Sequence, residues 1–195
     1  PVPSQQDQLA SELYQQIIRE ASGHDLSAWS SLALARMIHL VPVGQESDND
    51  QARAAYAKVI EAYPRHLAGQ EALIYQQTIL IKSLETGKTE EAIARLESFV
   101  REQPDSRFTS AAYNLLAQGY ETLGQPDRQL DARLKELETL EVDSASPAAS
   151  DLSWRYWQLA TTAEFLAGRF DIARIYYQKL IAEYPLDFRK FGAKQ

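Results

Sequence analysis

The chain has 195 residues, a formal net charge of −7 and no cysteine. Its acidic balance, with basic residues scattered along the sequence, argues against a nucleic-acid surface, and no run approaches the ~20 apolar residues that a membrane span needs. The lack of cysteine excludes disulfides, thiolate zinc sites and cysteine nucleophiles.

The first predicted element is an amphipathic helix over residues 5–22, QQDQLASELYQQIIREAS. Ala10, Tyr14 and Ile17 lie on one face of it, because they are spaced by four and three residues. We interpret the segment as the second helix of a helical pair, a half-repeat without its first helix. We expect it to pack against the helix that contains Trp29 and Leu32 and to leave an apolar outer side. A half-repeat also predicts that the chain is a fragment, or the mature core, of a longer repeat protein.

The same spacing recurs in two nearly matching stretches, ARAAYAKVIEAYP at 52–64 and ARIYYQKLIAEYP at 173–185. In each, an alanine is followed by an aromatic residue, an apolar residue and a Tyr-Pro ending, and a looser copy begins at Ala92. A small side chain suits a close helix crossing, and proline ends a helix because it lacks an N–H. We therefore expect Ala52, Ala92 and Ala173 to lie at close crossings.

Each of these helices has a predicted partner before it, with Gly87, Gly124 or Gly168 at the turn or helix end. One domain over residues 1–195 then contains helical pairs at 26–65, 67–105, 106–141 and 152–187, and 188–195 forms a cap or a truncated helix. The pair at 106–141 departs from the pattern, since Gln129 replaces the alanine. Leu130, Leu134 and Leu137 still form an apolar stripe in its second helix.

This arrangement resembles the tetratricopeptide repeat, a helical pair of about 34 residues with a W-x2-L-G-x2-Y, A-x3-F, P signature. The closest copy is 154–187, which has Trp157, Gly168, Ala173, Tyr177 and Pro185 in the signature frame. The resemblance implies an all-α fold, a right-handed superhelical solenoid whose first helices line a concave surface. The Tyr-Pro helix ends are also similar to Gram-negative envelope proteins of this family, such as the lipoprotein partner of the outer-membrane β-barrel assembly machine and Tol–Pal-associated proteins. That likeness favours a periplasmic or outer-membrane-associated location and leaves a cytoplasmic one open.

No chemistry-bearing motif accompanies the repeats. The three histidines lack a ligand partner three or four residues on, and no metalloprotease, phosphate-binding-loop or nucleophile-elbow signature occurs. The pairs Glu90–Glu91 and Glu136–Glu138 are interpreted as solvated helix faces, and the acidic run at 46–50 lacks the ligand spacing of a calcium loop. We predict no catalytic residue, no metal and no cofactor.

In the frame of the resemblance, inward-facing positions of the first helices carry side chains that can hydrogen-bond an extended peptide backbone. The candidate partner-binding residues are Gln77, Ile81, Asn114, Gln118, Arg155, Gln158, Thr162 and Phe165. Phe165, Phe188 and Phe191 are also candidates for an exposed docking patch, with core and end-cap packing as the alternative.

These residues predict a non-catalytic scaffold or adaptor that binds a protein or peptide partner. Two alternatives stay open: a regulatory or assembly module of a larger enzyme or complex, and a solenoid that associates with itself through its apolar ends.

Overall fold

A computed structural model describes residues 5–42, 46–142, 151–187 and 189, and these residues contain helices and no strand. The helices are α1 Gln5–Glu20, α2 Asp25–His39, α3 Asn49–Ala62, α4 Leu67–Lys82, α5 Thr86–Glu102, α6 Thr109–Thr122, α7 Pro126–Val142, α8 Leu152–Thr161 and α9 Phe170–Glu183. A π-helical turn, Thr162–Leu166, continues α8. The predicted fold class, an all-α solenoid of helical repeats, is confirmed. None of the described helices combines the length and the apolar character needed to cross a membrane.

Local sequence explains where several helices begin and end. The Asp48 carboxylate accepts a hydrogen bond of 2.9 Å from the Gln51 amide and so caps the start of α3. Gly124 and Gly168 end their helices with positive φ angles of 64°, a conformation that costs glycine little. Gly87, predicted at a turn, lies instead in the first turn of α5, and the left-handed residue before that helix is Leu84.

The chain divides into two compact units, Pro1–Lys82 and Ser83–Gln195. The division falls between α4 and α5, inside the predicted repeat at 67–105. The single domain and its repeat boundaries stay predictions.

In the first unit, α1 packs against α2, α2 against α3, and α3 against α4. Leu32, Tyr56 and Val59 anchor its core together with small residues, which are Ala28, Ala35, Ala52, Ala68 and Ala72. The expected contact of α1 with the helix of Trp29 and Leu32 is confirmed. Leu9 and Leu13 of α1 are 60% and 56% exposed, so the expected apolar outer side is also present.

In the second unit, α5 packs against α6, α6 against α7, α7 against α8, and α8 with its π-turn against α9. Its core cluster joins α7, α8 and α9 through Leu130, Leu137, Leu159, Ala173 and Leu180. Ala52, Ala92 and Ala173 are all buried, which suits positions at close helix crossings.

Candidate functional site

The second unit contains a row of buried polar side chains on α7. Gln129, Arg133 and Glu136 are spaced by four and three residues, so they share one face of the helix. Arg133 is 7% exposed and Glu136 is 2% exposed. A buried charge is costly unless it is paired and hydrogen-bonded, so the partners of these two residues define the site.

Glu136 links the helices on either side of α7. Its Oε1 atom accepts a hydrogen bond of 2.9 Å from the Asn114 amide of α6 and lies 2.8 Å from the Arg155 Nη1 of α8. Asn114 in turn accepts a hydrogen bond from the Gln118 amide. Burial raises the pKa of Glu136, and Arg155 and Asn114 oppose that shift because they favour the charged carboxylate.

Arg133 makes a second link to α8. Its Nη1 donates to the Gln158 Oε1 at 3.3 Å, and its Nη2 lies 3.7 Å from the more exposed Glu121 carboxylate. Burial lowers the pKa of Arg133, yet a guanidinium stays protonated in proteins. The Nε atoms of Arg133 and Arg155 have no hydrogen-bond partner in the described structure. We refer to Asn114, Gln118, Arg133, Glu136, Arg155 and Gln158 as the polar network.

The polar network combines two guanidinium groups with one buried carboxylate. Asn114, Gln118, Arg155 and Gln158 are only partly buried, so they also reach the surface. Amide groups can both donate to and accept from a peptide backbone, and a guanidinium donates to carbonyl or carboxylate oxygens. The arrangement can therefore hold an extended chain by hydrogen bonds.

The structure brings four of the candidate partner-binding residues together in this network: Asn114, Gln118, Arg155 and Gln158. Three others, Gln77, Ile81 and Thr162, are buried. The prediction that these three side chains lie on an accessible inward face is therefore wrong, because a buried side chain cannot contact a partner. Gln77 donates to the Gln76 amide oxygen at 2.9 Å, and its own Oε1 has no hydrogen-bond partner among the residues that the structure describes.

Phe165 lies apart from the network, in the π-helical turn, and is 73% exposed. Leu166 and Phe170 beside it are exposed as well, so the turn carries a small apolar patch. A π-turn inserted at a helix end re-aims side chains and is frequent at functional sites. Phe188 and Phe191, the other two candidates for this patch, lie outside the described residues.

Sequence reasoning missed Arg133 and misassigned Glu136, because the Glu136–Glu138 pair was interpreted as a solvated face. That interpretation is wrong for Glu136, which is buried, and right for Glu138, which is exposed. A signal was available. Arg133 and Glu136 follow Gln129 by four and seven residues, the same offsets at which Tyr177 and Leu180 follow Ala173. The polar row thus replaces the apolar signature row.

No cluster of three or more histidine, aspartate or glutamate side chains suitable for a metal occurs within residues 5–42, 46–142, 151–187 and 189. The described site offers hydrogen-bonding groups and charges.

The family model for the tetratricopeptide repeat matches residues 30–66, 72–106 and 156–187, which together exceed half of the chain. The chain belongs to the tetratricopeptide repeat family. No curated protein gives a significant match to it. Tetratricopeptide repeats generally mediate protein–protein interaction. The unmatched stretch between the second and third ranges contains α6 and α7. Every residue of the polar network except Gln158 therefore lies where this tetratricopeptide repeat protein departs from its family signature.

Proposed function

We propose that this tetratricopeptide repeat protein is a non-catalytic adaptor that binds an extended segment of a protein partner on the face formed by α6, α7 and α8. One observation carries the proposal: the buried Glu136 holds a donor from α6 and a donor from α8 at 2.9 and 2.8 Å. Polar groups held in place before binding lose little side-chain entropy when a ligand arrives.

The chemistry of the ligand follows from the groups that remain available. Gln118 and Gln158 each use one side-chain amide atom inside the network, so the other atom of each amide is available to a ligand. Gln118 uses its Nε2 on Asn114, and Gln158 uses its Oε1 on Arg133. Gln118 thus presents an acceptor and Gln158 a donor, which together match the alternating N–H and C=O groups of an extended backbone.

A peptide-display selection followed by affinity measurement tests this proposal. A peptide selected on the wild-type chain should bind roughly 3- to 10-fold more weakly to Gln118→Ala and to Gln158→Ala, since each loses one hydrogen bond. Gln178→Ala, an exposed glutamine of α9, is the matched control and should leave the affinity unchanged. Failure to select any peptide, or equal affinities for all four proteins, would overturn the proposal.

Self-association is a second candidate, favoured by the exposed leucines of α1. Leu9 and Leu13 lie one helical turn apart and together form an apolar strip. If a second copy covers this strip, sedimentation equilibrium should show a dimer that Leu13→Glu dissociates and that Gln15→Glu does not. A wild-type chain that stays monomeric at all concentrations rules this candidate out.

We also propose that the protein is located in the cell envelope. The support is the likeness of its Tyr-Pro helix ends to those of envelope proteins of the family. Cell fractionation of the protein expressed from its own gene tests it, with a cytoplasmic enzyme as the marker for leakage. Recovery in the cytoplasmic fraction contradicts the proposed location and leaves the peptide-binding proposal standing.

A further inference from the structure

A second recessed surface lies on the other side of α6. Helices α5, α6 and α7 enclose a groove of about 410 Å³. Its aliphatic lining residues, which we call its floor, are Leu116 of α6, Val100 of α5 and Ala132 of α7. At about 100° per residue, Leu116 lies on roughly the opposite face of α6 from Asn114 and Gln118. The groove is therefore distinct from the polar network.

One end of the groove is closed by polar contacts. The Glu97 carboxylate accepts a hydrogen bond of 2.5 Å from the Tyr120 hydroxyl and lies 2.6 Å from the Arg128 Nη2. The Arg128 guanidinium also lies 4.4 Å from the centroid of the Tyr120 ring. Glu97 thus compensates the charge of Arg128, and this end has little left to offer a ligand.

The other end carries cations with weaker internal partners. Tyr120 of α6 meets Arg128 of α7, whereas Asn114 meets Glu136, so the two helices run antiparallel and Lys135 lies beside Tyr113. Lys135 forms an ion pair with Glu138 at 2.8 Å, and both side chains are more than half exposed. Such a surface pair contributes little to stability, so Lys135 can exchange Glu138 for a carboxylate of a ligand.

Arg101 completes this end of the groove from α5, one turn beyond Glu97. It donates to the Ser98 hydroxyl at 3.4 Å, and it forms no ion pair with any residue that the structure describes. Asp131 is the carboxylate on the same wall of the groove, one turn before Lys135. It offsets part of the positive charge of Arg101 and Lys135, and Glu138, just outside the groove, pairs with Lys135. Arg101 is therefore the cation at this end that has no ion pair within the described residues.

We propose that this groove binds an acidic, leucine-bearing segment of a partner protein. The apolar side chain lies on Leu116, Val100 and Ala132, and an aspartate or glutamate carboxylate reaches Arg101 and Lys135. Tyr113 and Tyr120 are seven positions apart and so span about 10 Å of helix, which matches roughly three residues of extended peptide. An apolar floor beside a cationic end fits a peptide better than a nucleic acid, which has no apolar side chain to fill it and is repelled by the net charge.

The test uses a fluorescein-labelled, amidated hexapeptide of alternating leucine and glutamate, measured by fluorescence anisotropy on the whole chain. Two control peptides replace glutamate by lysine or leucine by serine. The acidic peptide should bind, and Arg101→Glu and Lys135→Glu should each weaken it about tenfold or more. Asp131→Asn should tighten it, because it removes the opposing carboxylate. Arg95→Glu, an exposed residue of α5 outside the groove, is the charge-matched control and should leave the affinity unchanged.

Circular dichroism establishes that each variant is folded. Gln118→Ala and Gln158→Ala distinguish this groove from the polar network, because neither should change the affinity for the acidic peptide. Added salt should weaken binding, since the contact includes exposed charges. Equal binding of the lysine or serine peptides, or charge reversals that change nothing, would overturn the proposal. So would the absence of measurable binding, or binding only by a peptide with a free carboxyl terminus.

Discussion

The Glu136 carboxylate of α7 lies 2.8 Å from the Arg155 Nη1 of α8, and Glu136 is 2% exposed. Glu136 occupies the position at which other repeats carry an apolar residue, Val59 in α3 and Leu180 in α9. A buried ion pair is weak evidence for added stability, because the cost of removing both charges from water offsets their attraction. Its value here is that it fixes the positions of neighbouring polar side chains on α6 and α8.

The first prediction follows from that pair. Glu136→Ala leaves Arg155 and Arg133 without their buried carboxylate, so it should lower the free energy of unfolding by about 3–5 kcal/mol. Glu138→Ala is the matched control on the same helix. Its partner Lys135 is exposed, and the change should stay within about 0.5 kcal/mol. Chemical denaturation followed by circular dichroism measures both.

A double variant separates an unpaired charge from lost packing. Glu136→Met with Arg155→Met removes both members of the pair and should recover most of the stability lost in Glu136→Ala, since an apolar pair of similar volume is often neutral or stabilising. Peptide binding on the polar network should be lost all the same. If the double variant loses as much free energy of unfolding as Glu136→Met and Arg155→Met lose in sum when each is made alone, the pairing argument is wrong.

Most of the fold was predictable because each repeat places an alanine, an aromatic residue and an apolar residue at fixed intervals in the sequence. Ala52, Tyr56 and Val59 are buried on α3 as their offsets require, and α3 and α9 each end just before a Tyr-Pro pair. The exact turn before α5 was not predictable in the same way. Gly87 is a natural residue for a turn, but the chain bends at Leu84, where side-chain type gives no warning of a positive φ.

The site was predicted only in part, because exposure depends on the neighbouring helices. The repeat pattern predicts an inward-facing position on a first helix for Asn114 and Gln118, and they do belong to the network. Gln77 was selected by the same rule and is buried, since α4 is apolar on several faces. Glu136 was missed because a glutamate beside exposed charges normally faces water. Its place seven residues after Gln129, where other repeats carry an apolar residue, is the sequence signal for its burial, and its partners on α6 and α8 explain how a charge is accommodated there.

The second prediction concerns the close contact of α9 with its neighbours. Ala173 is buried in the core of the second unit, so Ala173→Leu should destabilise the protein by about 1–3 kcal/mol through overpacking. Ala182→Leu on the same helix is the control, because Ala182 is exposed and has room for the larger side chain. Thermal unfolding compares the two. If Ala173→Leu and Ala182→Leu have equal melting temperatures, the interpretation of this repeat as a closely packed helical pair is wrong.

The third prediction compares two glycines. A Cβ atom added at Gly69 in α4 would overlap the Tyr63 carbonyl oxygen at the end of α3, and a backbone atom cannot move aside as a flexible side chain can. Gly69→Ala should therefore cost about 1–3 kcal/mol or more. At Gly87 nothing lies within 4 Å, so Gly87→Ala should stabilise the chain by about 0.4–1 kcal/mol through the unfolded state. Denaturant midpoints measure both, and a neutral Gly69→Ala contradicts the close approach.

The last prediction is a pH dependence in the first unit. Burial, and to a lesser extent the nearby Lys82 charge, lowers the pKa of His39 below its ordinary value. Its Nδ1 lies 3.0 Å from the Tyr56 hydroxyl of α3, and its ring meets Tyr75 of α4 edge-on at 5.9 Å. The folded chain therefore binds this proton less tightly than the unfolded chain, whose histidine titrates near pH ~6.5.

The sign follows from that difference. The contribution of neutral His39 to stability is fully present above pH ~6.5 and is lost as the pH falls through the lower pKa of the folded state. Melting temperatures measured from pH 8 down to pH 5 should fall more steeply for the wild-type chain than for His39→Gln. His24→Gln, which changes an exposed histidine at the start of α2, should keep the wild-type slope. If His39→Gln and the wild type fall in parallel, His39 is not the group responsible. A wild-type melting temperature that rises towards pH 5 would reverse the assigned sign.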